Sequence, residues 1–91
     1  MVYTKTEEQV GLMKEAALLV SQTLTEVAKV IKPGMTTLDI DQFCMEFVKD
    51  HKGVLSFYNY HGYPHNICAS VNDVVVHGFP NKTALKEGDL V

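Results

Sequence analysis

Seven apolar residues, Val10, Met13, Ala17, Val20, Leu24, Val27 and Ile31, recur at alternating steps of three and four. That period is one stripe of an α-helix. In a chain of 91 residues a helix this long dictates the layout, because the remaining chain must lie along it. Its start is marked by Thr6-Glu7-Glu8-Gln9, a capping-box pattern with two acids where the helix dipole favours them. Lys32-Pro33-Gly34 ends it. The spacing therefore predicts a helix over 7–31, about 37 Å long. Leu12, Ala16 and Leu19 widen the stripe, so the helix is expected to pack on more than one neighbour.

A second helix is expected from Thr36 or Thr37. Leu38, Ile40, Phe43, Cys44, Phe47 and Val48 form its buried face, and Asp39, Asp41, Gln42, Glu46 and Lys49 its wet face. Gly53 reads as a left-handed residue just past its end. The link over 33–36 is short, which favours antiparallel neighbours. Beyond Gly53 the pattern changes. Val54 to Tyr60 and Ile67 to Val71 read as strands, Val74-Val75-Val76 is β-branched throughout, and Leu90-Val91 reads as the start of another strand. Turns are expected at His61-Gly62-Tyr63-Pro64 and Asn72-Asp73. The residues thus predict an α+β arrangement, with two long antiparallel helices on an antiparallel sheet. A chain that ends on the first residues of a strand reads as the first part of a longer domain.

The totals exclude several function classes. Net charge is -3 and no basic stripe appears, which disfavours nucleic acid as a partner. Two cysteines, Cys44 and Cys68, make no disulfide framework. No signal peptide or membrane-length apolar run is visible. A reducing, cytoplasmic setting is the expectation.

Chemistry concentrates between Tyr60 and Pro80, which holds three of the four histidines and one cysteine. His61, His65, Cys68 and His77 are all zinc-ligand types, but their spacing matches no standard finger. His51, near the end of the second helix, suits the dipole there. His77 ends a valine run and precedes a glycine, which suits either an acid–base group near neutral pH or a loop histidine with no chemical role. Phe57, Tyr60, Tyr63 and Cys68 are either plain core or the lining of an apolar pocket with polar edges. Cys68 lacks the paired base that a nucleophile needs.

The stretch also carries a longer pattern. Asn59-Tyr60-His61-Gly62-Tyr63-Pro64, then Cys68, then Ser70-Val71-Asn72-Asp73-Val74-Val75-Val76-His77-Gly78-Phe79-Pro80 closely resembles the methionine aminopeptidases, in their bacterial type I form. Lys5-Thr6-Glu7-Glu8, Val30-Ile31-Lys32-Pro33-Gly34 and Leu85-Lys86-Glu87-Gly88-Asp89-Leu90-Val91 extend the resemblance over essentially the whole chain. It implies the pita-bread fold, two related α+β halves around an active site. Residues 1–91 would be the amino-terminal part of that single catalytic domain, without its second half.

The implied activity is removal of the initiator methionine from nascent peptides in which a small residue follows it. The resemblance makes His77 the histidine that contacts the scissile peptide. It makes Tyr60, Tyr63 and Cys68 the wall of the methionine pocket. Phe57 occupies a pocket position that is cysteine in some relatives. Asn72 and Val74 match a monovalent-cation site of some members. The family uses two divalent metal ions (cobalt, manganese, iron, zinc or nickel), held by two aspartates, a histidine and two glutamates. None of these five matches a position here, and neither Asp73 nor Asp89 corresponds to one, so the 91 residues alone are expected to be inactive. The resemblance further implies a monomeric complete enzyme acting near the ribosome, with no membrane and no direct nucleic-acid contact. The competing expectation is a non-catalytic module that binds a peptide or a protein.

Overall fold

A computed structural model describes residues 2–91. Helix α1 spans Glu7–Val30 and helix α2 spans Thr37–Asp50. Both begin with the same device. Thr6 Oγ1 accepts from the Gln9 N–H and Gln9 Oε1 from the Thr6 N–H; Thr36 and Asp39 make the identical exchange at α2. Each box satisfies two amide donors that a helix start otherwise leaves open. At the far ends, Ile31 stops α1 ahead of Pro33, and the His51 N–H closes α2 onto Phe47 and Val48.

The two helices run antiparallel. Val27 and Ile31, late in α1, pack on Ile40 and Cys44, early in α2. Past the other end of α2, Gly53 lies against Leu19, halfway along α1. Gly53 is not the expected left-handed residue. Lys52 takes that conformation, with φ 62°, and Gly53 is small because a Cβ there would come within 2.6 Å of Leu19 and 2.8 Å of Val48. The core is small: Ile40, Cys44 and Leu85, flanked by Val27, Ile31, Met35, Ile67 and Val71. Thr23 is the one buried residue of α1. The apolar residues of its first half, Val10, Leu12, Met13 and Leu18, are exposed.

The expected antiparallel sheet is not formed. Among the described residues there is no strand, only an isolated antiparallel bridge between Thr36 and Ala84. The reason is visible in where the backbone donors go. Val54–Tyr60 ends in left-handed Asn59 (φ 63°), and a single 3₁₀ turn at Tyr60–Gly62 contains left-handed His61 (φ 48°), so this run cannot stay extended. The Ala69 N–H does bond the Gly78 carbonyl at 2.8 Å. An antiparallel pair would return the Gly78 N–H to Ala69; instead that donor goes to Ser70 Oγ at 3.1 Å. Likewise, Asn72 N–H meets the Leu90 carbonyl, but Leu90 N–H goes to the Asn72 side chain. Side chains interrupt each ladder after one bond.

Chain 54–91 is therefore tied down by separate anchors on α2 and on the link before it. The Gly34 N–H reaches the Leu85 carbonyl at 2.8 Å, and the Leu85 N–H reaches that of Met35 at 2.7 Å. Thr37, only 1% exposed, accepts the Asn81 N–H on its hydroxyl at 2.8 Å, and the Leu38 N–H donates to the Asn81 carbonyl at 3.2 Å. Asp41 holds residues 66 and 67. Between the helices and this chain runs an open apolar groove of about 1050 Å³, lined by Leu19, Val27, Cys44, Leu55, Phe57 and Cys68 among others.

Candidate functional site

The sequence places Asp41 on the wet face of α2, and the structure corrects this: Asp41 is 6% exposed. It lies on one helical row with Thr37, Cys44 and Val48, at steps of four, three and four. Its Oδ1 accepts the N–H groups of Asn66 and Ile67, each at 2.9 Å, and its Oδ2 accepts the Asn66 side-chain amide at 2.9 Å. A carboxylate with three donors is well satisfied despite burial. Immediately behind it, burial and the Asp41 charge push the Cys44 thiol pKa up, so Cys44 stays a protonated, inert core residue.

The Asp41 anchor leads directly to the aromatic cluster. The Ile67 carbonyl accepts the Tyr63 hydroxyl at 2.9 Å, and a longer contact of 3.5 Å joins that hydroxyl to the Gly78 carbonyl. Around the Tyr63 ring stand Phe79 (centroids 4.9 Å apart), Phe57 (6.0 Å) and His65 (6.0 Å), all edge to face, the arrangement ring quadrupoles favour. Desolvation raises the Tyr63 phenol to about 12, with the Cys68 thiol beside it and the Asp41 charge adding to the rise. Three expected pocket residues, Phe57, Tyr63 and Cys68, thus share one region, with Phe57 and Cys68 also lining the apolar groove.

The other expected site residues stand apart from that group. Tyr60 is exposed and its ring packs on His61 at 4.2 Å. His77 is exposed and left-handed, with φ 55°, a conformation that costs a residue with a Cβ about 1 kcal/mol. Gly78 explains the close approach next to it: a Cβ at that position would overlap the Ala69 carbonyl oxygen and sit 3.0 Å from Ser70 Cα. Asn72 is also left-handed (φ 53°), its amide bonded to Asp89 at 3.1 Å and its Oδ1 to the Leu90 N–H at 2.9 Å. The Lys86 N–H and, after it, the Asn72 side-chain amide bond the Asp89 carboxylate and lower its pKa. Val74 closes a turn onto the Val71 carbonyl. His51 stacks on Phe47 at 4.2 Å and its Nδ1 lies 2.8 Å from the Phe47 carbonyl, a helix-end role.

His61, His65, Cys68 and His77 do not converge. Among the described residues no three His, Cys, Asp or Glu side chains gather as metal ligands would. Asp41, Ser70, Thr37 and Asn81 carry more of the local geometry than the sequence reading gave them. The row linking Thr37, Asp41 and Cys44 is the signal that identifies Asp41.

Comparison with known proteins sets this geometry in a family. Over the full length of this chain it is 41% identical to methionine aminopeptidase 1 of Bacillus subtilis and 37% identical to the methionine aminopeptidase of Clostridium perfringens. It spans only 37% and 36% of those proteins. Among solved structures, methionine aminopeptidase from Rickettsia prowazekii superposes with a TM-score of 0.93 at 37% identity, and that from Thermotoga maritima with 0.92 at 41%. Each comparison covers 98% of this chain and 36% of the other. Metallopeptidases use a divalent metal, and the residues described here do not by themselves fit one, for want of a converging ligand set. Among the described residues no helix is long and apolar enough to cross a membrane. The model for metallopeptidase family M24 matches residues 11–91, and the chain belongs to that family.

Proposed function

We propose that this chain forms the methionine-pocket wall and carries the substrate-contacting histidine of a methionyl aminopeptidase with the pita-bread fold. The observation that supports the reading is the grouping of Phe57, Tyr63 and Cys68 in a chain matched along its whole length by methionine aminopeptidases. An apolar wall with a hydroxyl and a thiol at its edge suits an unbranched thioether side chain. Tyr60 completes the wall from the 3₁₀ turn. His77 hydrogen-bonds the scissile peptide and steadies the charge that develops on it. Asn72 and Val74 remain the candidates for a monovalent cation.

The dinuclear centre, of cobalt, manganese, iron, zinc or nickel, is supplied by the share of the family's length that these residues do not span. When bound it activates the attacking water. The substrates are nascent peptides that begin with methionine followed by a small residue, met in the cytoplasm near the ribosome by a monomeric complete enzyme.

Two measurements test this reading. Titration of the 91-residue chain with L-methionine is expected to shift the amide resonances of Tyr63, Cys68 and Phe57, while L-lysine leaves them in place. An equal response to both amino acids contradicts the pocket. In a methionine-release assay on a Met-Ala-Ser peptide with added cobalt or manganese, the chain alone is expected to be silent, and release would overturn the assignment of the metal ligands to other sequence.

A further inference from the structure

We infer that Asp41 is a positioning residue: from α2 it fixes the Asn66-Ile67 backbone, and through that backbone it places the acceptor of the Tyr63 hydroxyl and the start of the Cys68-Ala69 segment. The argument is a continuous series of bonds. Asp41 is anchored on a helix whose own backbone is closed, and it is buried at 6% exposure. One of its oxygens takes two consecutive backbone N–H groups, of Asn66 and Ile67, and the other takes the Asn66 side chain. Two successive amides on one oxygen fix the two peptide groups that flank the Asn66 Cα. The chain leaving them carries the Ile67 carbonyl, which accepts the Tyr63 hydroxyl, and starts the Cys68-Ala69 segment, whose Ala69 N–H then meets Gly78. No ladder holds this segment from either side, because Ser70 diverts the returning Gly78 N–H. The wall's placement therefore depends on Asp41. The segment's assignment as a methionine pocket rests on the reading above; the clamp itself does not.

The test uses the 91-residue chain and the rate at which iodoacetamide alkylates Cys68, with Cys44 as an internal report on the fold, since burial more than the Asp41 charge keeps that thiol protonated and out of reach. Asp41→Ala is expected to raise the Cys68 rate about tenfold while Cys44 stays protected, since a charged hydrogen-bond acceptor is lost from a buried site. Asp41→Asn keeps an oxygen for both backbone donors and sets two amide groups against each other, so a smaller rise of about threefold is expected. Combining Asp41→Asn with Asn66→Asp restores the side-chain bond in reverse, and the rate is expected to return to within about twofold of the parent.

A structural role spread over the whole fold would expose Cys44 together with Cys68 in Asp41→Asn and would not be repaired by the swap. That result overturns the inference, as does an unchanged Cys68 rate in Asp41→Asn. If Asp41→Ala unfolds, the Asn variant and the swap decide. The same rates measured with L-methionine separate the two readings. Protection of Cys68 that weakens in Asp41→Asn and returns in the swap supports both; no protection of the parent chain removes the pocket and leaves the methionine-free rates to judge the clamp.

Discussion

Helix α2 and the chain over 54–91 satisfy their backbone polar groups in opposite ways. Past its first turn the helix bonds its N–H groups to carbonyls four residues back, with Thr36 and Asp39 closing its start. The second region has no element of its own beyond one 3₁₀ turn. Some of its donors meet scattered carbonyls of turns and single bonds, and the others are taken by the Asp41 and Asp89 carboxylates, the Thr37 and Ser70 hydroxyls and the Asn72 and Asn81 side chains. A buried N–H must find a partner of some kind. Where no neighbouring strand supplies one, single side chains do, and each carries a whole segment. The region with the chemical groups is thus placed by the region without them.

The comparison breaks most readily at Gly78. Gly78→Ala would drive a methyl group into the Ala69 carbonyl, and relief requires opening the bond from the Ala69 N–H to the Gly78 carbonyl. A loss of about 1–3 kcal/mol in urea unfolding is expected, with the Cys68 and His77 resonances displaced and those of α2 unchanged. Thr37→Val is next. It keeps the shape but leaves the Asn81 N–H with no acceptor in a buried site, for an expected cost of about 1–2 kcal/mol. The matched caps sharpen the contrast. Thr36→Ala is expected to cost about 1 kcal/mol, because α2 carries the anchors. Thr6→Ala removes the same cap from the exposed end of α1, and its effect on the global transition is expected to stay below about 0.5 kcal/mol, appearing as local fraying in circular dichroism.

A separate effect is in pH dependence. The Tyr63 phenol is raised to about 12 in the folded chain, whereas an unfolded tyrosine titrates near about 10. Between those values the unfolded state holds fewer protons, so stability falls as pH rises. The contribution is complete below about pH 10 and lost toward about pH 12. Urea melts at about pH 9 and about pH 11 are expected to differ less in Tyr63→Phe than in the parent chain.

Much of this was legible in the sequence. The helix bounds, the Thr6–Gln9 capping box and the antiparallel link follow from local rules, and local rules hold wherever a helix can satisfy itself. The family follows from the Tyr60–Pro80 pattern. The sheet was misread for a physical reason: Val54–Tyr60, Ile67–Val71 and Val74–Val76 have strand composition, but a strand exists only with a partner, and here Ser70 and Asn72 take the second bond of each pairing. Asp41 was misread because charge was weighed over position. Its row with Thr37 and Cys44 points inward, and a buried carboxylate is stable once three donors meet it. The grouping of Tyr63 with Phe79 and His65 depends on contacts sixteen residues apart or fewer, set by the Ala69–Gly78 bond, which no periodicity encodes.

Native-state hydrogen exchange tests most directly whether α2 side chains hold the site segment. The Asn66, Ile67 and Asn81 amides are expected to exchange as slowly as those of Ile40 and Cys44, while the amide of Val75, a residue 89% exposed, exchanges orders of magnitude faster. Asn66 and Ile67 exchanging as fast as Val75 would contradict the account, since the Asp41 bonds would then not persist in solution.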